Sequence, residues 1–257
     1  MKKIFLLLCL LLALCSCSRK EPKEVIIEPP VVPVEEPVVI DETKLEEYAI
    51  LNKNWDDNDA ITHDFRGFIK VGNLIDLPFV QGKTNDTYLR KDWLTMNYDE
   101  EGSIFLDSSN DKELNDQNLI IYGHYVYKSY EASGTHKFTP LEKLIDKENY
   151  EDNKYITLQL KDEIRTYEIA IVFYVDTYVD SASNVRYPKE GYIYYYPNYS
   201  EEYFDTYISN AYKDAFYDTG VKVGFDDHIL TLQTCVENKD DLREIVVAKL
   251  IKIEKTR

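Results

Sequence analysis

Short stretches of alternating or continuous apolar residues recur along the chain after residue 64, and they predict β-strands. They are rich in β-branched and aromatic residues and are bounded by Gly, Asn or Asp. In chain order they read FRGFIKV, LPFVQG, GSIFLD, NLIIYGH, KYITLQL, TYEIAIVFYVDTYV, HILTLQTC and REIVVAKLIKI. Eight strands with few helices between them predict a mainly β fold, a closed or nearly closed eight-stranded barrel.

Three other stretches have helical spacing. KLEEYAILNKNW, which begins at Lys44, predicts an amphipathic N-terminal helix. PLEKLID, which follows Thr139, predicts a short helix. SEEYFDTYISNAYKDAFYDTG predicts a helix inserted between two late strands, with Ser200 as its N-cap and Gly220 as its stop.

The first 18 residues predict an export signal or a membrane anchor. Two lysines precede an apolar run from Ile4 to Cys15, which matches a secretory signal and falls short of the ~20 residues that span a bilayer as a helix. The sequence Leu14-Cys15-Ser16-Cys17 resembles a bacterial lipobox, so Cys17 is a candidate lipidation site. A cleaved signal peptide or a short uncleaved anchor is the alternative. Each interpretation predicts a chain at the extracytoplasmic face of the membrane.

Residues 19–43 form a segment rich in Pro, Val and Glu that contains no Gly. Closely spaced prolines favour extended polyproline geometry, which predicts a semi-rigid stalk. An edge strand is the alternative interpretation. The predicted organisation is therefore a signal or anchor at 1–18, a stalk at 19–43 and one folded domain at 44–257.

Composition excludes several classes of partner. The formal net charge is -17, from 47 acidic and 30 basic residues, whereas nucleic-acid binding needs a basic surface. The 22 tyrosines suit half-buried strands and agree with a β-rich domain. No HExxH, CxxC or ordered carboxylate loop is present, so neither a metal site nor a cofactor is predicted.

A single cysteine lies in the predicted folded domain. Three of the four cysteines fall in the N-terminal segment, which leaves Cys235 at the end of HILTLQTC with no partner for an intrachain disulfide. One interpretation is a small buried hydrophobe. The other is a reactive thiol, which is favoured because exported proteins usually pair their thiols or avoid them.

Two further residues could act with this thiol. His124 closes the strand NLIIYGH, where Gly123 is expected to let the backbone turn and present the imidazole. Arg243 opens a strand after an acidic turn that runs from Val236 to Leu242, so a hairpin would bring it near Cys235. Its guanidinium could stabilise an oxyanion, or it could be a surface arginine paired with Asp240 or Asp241.

The ordered set FRGFIKVGNLIDLPFVQGKTNDTYL, EGSIFLD, NLIIYGH and TLQTC, followed by an arginine after a short turn, resembles the class B sortases. The resemblance covers nearly everything from Lys44 onward. It implies that Cys235 is the nucleophile, His124 the general acid and base, and Arg243 the holder of the oxyanion and substrate. It also implies a substrate groove lined by Asn85 and Leu89, although Leu89 could equally be core. Thr234, beside the nucleophile, is a candidate for shaping the oxyanion site.

The resemblance implies a cysteine transpeptidase that cleaves an Asn/Ser-Pro-x-Thr type sorting signal after Thr through a thioacyl enzyme. The expected partners are surface proteins that bear this signal, an amine acceptor on peptidoglycan or a pilin, and the membrane through the N-terminus. Two departures from the family pattern are Tyr125, where Asn is common, and the lengthened loop SYEASGTH. The alternatives are an extracytoplasmic cysteine peptidase that only hydrolyses and a non-catalytic surface lipoprotein.

Overall fold

The computed structural model describes residues 40–126, 137–181 and 186–257. The predicted signal segment 1–18 lies outside the described residues, as do most of the predicted stalk and the loop SYEASGTH. Within the described ranges, no helix combines the length and the apolar character that crossing a bilayer requires.

The described residues contain three α-helices, nine strands and three short 3-10 segments. The helices are α1 (Leu45–Asp59), α2 (Tyr150–Asn153) and α3 (Glu201–Lys213). The strands are β1 (Phe65–Val71), β2 (Ile75–Val80), β3 (Phe105–Leu106), β4 (Asn118–Tyr122), β5 (Tyr155–Gln159), β6 (Glu163–Val179), β7 (Arg186–Pro188), β8 (Ile229–Val236) and β9 (Lys239–Lys255). The 3-10 segments are Glu42–Lys44, Thr139–Ile145 and Lys147–Asn149.

Eight of the strands close into a barrel in the order β5-β1-β2-β3-β4-β8-β9-β6, because β5 also pairs with β6. The β2–β3 and β4–β8 pairs are parallel and the other pairs are antiparallel. The eight-stranded mainly β fold is confirmed, and each of the eight predicted stretches contains a strand. The strand β7 was not predicted, and it pairs only with the end of β6.

Two hydrophobic clusters lie on the two sides of the long β6–β9 ladder. One fills the barrel and includes Ile69, Phe138, Leu158 and Leu232, each fully buried. The other packs α3 against the outside of the ladder. Strands of this kind, buried on both faces, read as near-continuous apolar runs, which explains the sequence pattern of EIAIVFYV and EIVVAKLI.

The predicted N-terminal helix α1 is present and is held at the end of β9, but it is only weakly amphipathic, because its apolar residues Leu45 and Ile50 are exposed. The Lys44 ammonium lies 2.8 Å from the Glu254 carboxylate, which also accepts a hydrogen bond from Tyr48. The buried residues of α1 are Tyr48 and Trp55. The helix therefore lies against the barrel through few apolar contacts and a set of polar ones.

The other two helical predictions need correction. The segment PLEKLID is a 3-10 helix, which suits its buried Leu141 and Leu144 because residues three apart lie on one side of such a helix. The inserted helix α3 starts after Ser200 as predicted, but it ends at Lys213 instead of Gly220. It ends early because the backbone N–H of Phe216 donates to the Val172 carbonyl at 2.9 Å, which draws the chain into pairing with β6.

Candidate active site

A cleft of about 440 Å³ opens where β4 and β8 end. The β6–β7 hairpin and the segment before β3 form its other walls. The cleft is lined by six of the residues that the sequence singles out, together with ten others. The six are Asn85, Leu89, Gly123, His124, Cys235 and Arg243. Residues that are up to 158 positions apart in the chain, counted from Asn85 to Arg243, thus share one concave surface.

The β8–β9 ladder places the thiol directly opposite the guanidinium-bearing residue. Cys235 and Arg243 are cross-strand partners in the antiparallel register. The Cys235 side chain is half-buried and makes no disulfide. Directly opposed residues have Cβ atoms about 4.5–5.5 Å apart, so their side chains leave the sheet together. The interpretation of Cys235 as a fully buried packing residue does not fit this position.

The turn before Arg243 is shorter than the predicted one from Val236 to Leu242. Strand β9 already begins at Lys239, which pairs with Val236, and the turn residue Asn238 has φ of 59°. A register shift follows, because Cys235 pairs with Arg243 while Val236 pairs with Lys239. A bulge of this kind bends a strand and redirects side chains. Arg243 therefore lies within β9 and does not open it.

Arg243 makes its described hydrogen bonds to backbone carbonyls at the start of β9. Its Nη1 donates to the Asp240 carbonyl at 3.0 Å and to the Leu242 carbonyl at 2.7 Å. Among the described residues no carboxylate lies within ion-pair distance of it, so the surface pairing with Asp240 or Asp241 is not formed. The bonds fix the side chain at the cleft wall and leave its other N–H groups available for a ligand.

His124 follows the last residue of β4 by two positions and is half-buried. Its Nε2 lies 2.8 Å from the Leu89 carbonyl oxygen. Because a carbonyl only accepts, Nε2 carries the proton in the neutral ring and Nδ1 carries the lone pair. Burial lowers the pKa of His124 below its usual value, and the bond to Leu89 offsets part of that effect.

Gly123 serves a different purpose from the predicted sharp turn. Its φ lies outside the left-handed region, and a Cβ placed on it would lie 2.5 Å from Cγ of Phe138. Phe138 is fully buried in the barrel core. A glycine is needed here because the aromatic ring packs against the backbone that carries His124.

Asn85 and Leu89 both line the cleft, and each already has a contact within the protein. The Asn85 amide donates to the Asp107 carboxylate at 2.9 Å and accepts from the Ser108 N–H at 2.7 Å. Asp107, itself buried, also accepts from the Tyr122 hydroxyl at 2.7 Å. Leu89 is 37% exposed, so it is not a core residue. Its side chain is accessible at the cleft, while its carbonyl holds His124.

Thr234 does not line the cleft. Successive strand residues point to opposite faces, so Gln233 and Cys235 face the cleft and Thr234 faces away. Its side chain is fully buried, and its hydroxyl has no hydrogen-bond partner in the described structure. A direct role of this hydroxyl in an oxyanion site does not fit its position.

Several cleft residues were missed by sequence reasoning. Gln233 and Tyr122 could have been found, because each lies two positions before a predicted site residue and strand periodicity places both on the same face. The aromatic wall and the second arginine come from the β6–β7 hairpin and the segment after it, and no local pattern marks them. They are Arg186, Tyr187, Tyr194 and Tyr195. Tyr125, the departure from the family pattern, is not among the residues that line the cleft.

No group of three or more His, Cys, Asp or Glu residues within the described ranges is arranged to hold a metal ion. The cleft instead combines a thiol, an imidazole and a guanidinium with a mostly aromatic wall. Such a set can attack a carbonyl, move a proton and stabilise an oxyanion.

Comparison with known proteins gives consistent matches. A family model described as Sortase domain matches residues 70–251. Sortase B of Listeria monocytogenes is 30% identical over 206 residues, which cover 76% of this chain and 73% of that protein. The crystal structure of Clostridium perfringens sortase B has 28% identity and a TM-score of 0.62, and covers 77% of this chain and 99% of that one. A structure of sortase B complexed with triglycine has 25% identity and a TM-score of 0.65, and covers 82% and 95%.

Proposed function

The chain belongs to the sortase family as a class B cysteine transpeptidase, and we propose that it cleaves an Asn/Ser-Pro-x-Thr type signal after Thr and transfers the protein to an amine. The observation that carries the assignment of roles is the cross-strand pair Cys235–Arg243 with His124 in the same cleft. We assign Cys235 as nucleophile, His124 as general acid and base, and Arg243 as the donor to the oxyanion.

In the first half-reaction the Cys235 thiol gives its proton to His124 and the thiolate attacks the Thr carbonyl carbon. The Arg243 guanidinium donates hydrogen bonds to the oxygen, which becomes negatively charged. When the C–N bond breaks, imidazolium returns the proton to the leaving amine, and a thioester remains. The Leu89 carbonyl holds the Nε2–H, so Nδ1 is the nitrogen that exchanges the proton.

In the second half-reaction an incoming amine attacks the thioester carbon. His124 takes the proton that the amine loses and passes it to the departing Cys235 sulfur, which restores the starting thiol and neutral imidazole. A glycine amine on peptidoglycan is our first candidate, because a related sortase B has been crystallised with triglycine. A diaminopimelate-type or pilin amine is the alternative acceptor.

The hydrogen bonds that link Asn85, Asp107 and Tyr122 fix the surface on which we propose that the sorting signal binds. Since both polar ends of the Asn85 amide are engaged at 2.9 Å and 2.7 Å, we propose that Asn85 shapes the groove while the exposed Leu89 side chain packs against the peptide. This proposal gives the two residues different roles within one groove.

We also propose that the enzyme works at the extracytoplasmic face of the membrane, attached through residues 1–18. Support comes from the two lysines and the apolar run of that segment. Intact-mass analysis of the membrane-derived protein distinguishes lipidation at Cys17 from a retained hydrophobic anchor.

The test of function is intact-mass analysis after incubation with peptides of the form Asn-Pro-x-Thr-x. We expect a thioester adduct on the wild-type chain and none on Cys235→Ala. Added triglycine should shift the product from free acid to ligated peptide and speed turnover. Hydrolysis at a rate that is indifferent to any added amine would identify a peptidase instead. Absence of both adduct and product with all such peptides would contradict the proposed substrate class.

A further inference from the structure

A second cavity, of about 460 Å³, lies beside the cleft on the other side of the β8–β9 ladder. It is lined by ten residues, and four of them are acidic. The acidic residues are Glu142, Asp146, Glu237 and Glu244. We name it the acidic cavity. Nothing in the proposed reaction uses it.

The innermost acidic residue is the cross-strand partner of a residue next to the nucleophile. Glu244 pairs with Thr234, one register position along from the Cys235–Arg243 pair. Because strand residues alternate in direction, these two face the acidic cavity side while Cys235 and Arg243 face the cleft. The two cavities thus share the same two strands.

The buried side chain of Glu244 has one oxygen without a hydrogen-bond partner in the described structure. Its side chain is 1% exposed, and Oε1 has no hydrogen-bond partner in the described structure. A buried carboxyl without a partner costs free energy, so such groups are normally hydrogen-bonded or paired. Burial, with a smaller effect of the Glu142 carboxylate, raises the pKa of Glu244 to about 8.

The charges around Glu244 leave the cavity acidic. The Tyr125 hydroxyl donates to Glu142 at 2.6 Å and lies 3.4 Å from a Glu237 oxygen. Two lysines, Lys143 and Lys239, also line the cavity. The excess is one negative charge while Glu244 is protonated, which its raised pKa favours at neutral pH, and two negative charges once Glu244 is ionised. Across the described ranges none of these six side chains makes an ion pair.

The rest of the acidic cavity wall is apolar, and this favours an organic cation as the ligand. Ile145, Tyr174 and Val236 line it, and Tyr174 is the β6 residue opposite Glu244. No three acidic residues in the described part of the chain are close enough together for a metal ion. An apolar wall next to carboxylates suits methylene groups that end in an ammonium, whose charge an aromatic face also attracts.

We propose that the acidic cavity binds an alkylammonium group, with the Glu244 carboxylate as its innermost partner. The group can come from a free diamine or from an amino-bearing part of the acceptor. The site does not depend on the transpeptidase reaction, since its residues are not those of the cleft.

Calorimetric titration of the full chain with 1,4-diaminobutane tests the proposal, with 1,4-butanediol as the uncharged control. We expect binding of the diamine, no binding of the diol, and at least tenfold weaker diamine binding by Glu244→Gln. Glu142→Gln is the second variant, in case the first perturbs folding. Glu148→Gln removes an exposed carboxylate outside the cavity and should bind as the wild type does.

Ionisation of Glu244 gives a further readout, because a bound ammonium favours the carboxylate. The titratable or charged groups that face it are Tyr125, Glu142, Lys143, Asp146, Tyr174, Tyr217, Glu237 and Lys239. We expect diamine binding to be tighter at pH 9 than at pH 7 in the wild type, with this difference lost in Glu244→Gln. Equal diamine affinity of both proteins at both pH values, binding of the diol, or binding of calcium chloride without the diamine would each overturn the proposal.

The two sources of the ammonium are separated by kinetics. Competition between 1,4-diaminobutane and triglycine, removed by Glu244→Gln, assigns the cavity to the acceptor. An effect on turnover that triglycine does not overcome assigns it to a free amine. If the chain proves to lack transpeptidase activity, calorimetry still decides the site, so the two failures are distinguishable.

Discussion

The Nε2 atom of His124 lies 2.8 Å from the carbonyl oxygen of Leu89, a residue 35 positions earlier in the chain. This contact joins the residue that we assign to proton transfer to the loop that forms the groove. Movement of the loop on substrate binding would therefore change the position of the imidazole directly.

The first prediction concerns the titration of His124. Burial disfavours the charged ring, so its pKa lies below the usual 6.5. Histidine NMR of the full chain, with the resonance assigned by its loss in His124→Asn, should show a midpoint below that of a model peptide. The long-range ¹H–¹⁵N pattern above the midpoint should report the Nε2–H tautomer. A midpoint at or above 6.5, or the Nδ1–H tautomer, would contradict the structure.

The second prediction concerns Gly123. A Cβ at this position would lie 2.5 Å from the ring of Phe138, which is fully buried. Gly123→Ala should therefore destabilise the fold by about 1–3 kcal/mol, as overpacking does, and should lower kcat by moving His124. Chemical denaturation and peptide kinetics measure the two effects.

The control for this change is Gly224→Ala. A Cβ there would meet only an Asp227 oxygen at 3.8 Å, which is an ordinary contact, and its φ is not in the left-handed region. It should leave kcat unchanged. If both variants behave alike, close packing against Phe138 is not the reason for a glycine beside His124.

The third prediction concerns Arg243. Loss of one donor to an oxyanion costs roughly 10²–10³ in rate, so Arg243→Gln should lower kcat by about that factor. Arg243→Lys should recover only part of the loss, because an ammonium lacks the planar fork of donors. Stability should change little, because the described bonds of Arg243 are to two backbone carbonyls at the start of its own strand, one exposed and one partly buried.

Lys252→Gln removes a positive charge from the same strand outside the cleft and should retain full activity. A rate loss in this variant equal to that of Arg243→Gln would point to general electrostatics in place of a specific contact. The comparison separates the two explanations without requiring a structure of either variant.

The fourth prediction concerns Asn85. Its amide nitrogen donates to the Asp107 carboxylate at 2.9 Å. Asn85→Asp replaces this donor by a second carboxylate, so the repulsion should open the groove and raise KM for the sorting peptide more than it lowers kcat. Asp76→Asn, a change of opposite sign at an exposed residue that does not line the cleft, should leave KM within about twofold.

Much of the fold followed from local patterns, since every predicted strand stretch contains a strand. The strand pattern HILTLQTC also placed Cys235 at the end of a strand. The register could not be predicted, because it depends on the bulge between Val236 and Arg243. That bulge follows from a two-residue turn with φ of 59° at Asn238, which the acidic run obscured.

The cleft walls show where sequence reasoning ends. Gln233 follows from period two, whereas Arg186 and Tyr194 reach the cleft through the β6–β7 hairpin and the segment after it. In the sequence, Glu244 is a charged residue between Arg243 and an apolar run, and nothing local indicates that it is buried. In the fold it lies beside the 3-10 segment Thr139–Ile145 at the acidic cavity, a tertiary neighbour that no local pattern encodes.

The last prediction concerns stability and pH through Glu244. Its pKa is about 8 in the folded protein and near 4.5 in the unfolded chain. Between these values the folded state holds a proton that the unfolded state has released, so stability falls as pH rises. Relative to Glu244→Gln, the free energy of unfolding of the wild type should fall as pH rises between the unfolded and the folded pKa of Glu244, and then level off. Urea denaturation of both proteins across this range, with Glu148→Gln as the exposed-carboxylate control, measures the difference. Parallel curves for the wild type and Glu244→Gln would mean that Glu244 ionises freely in the folded state, and that the acidic cavity is open to water.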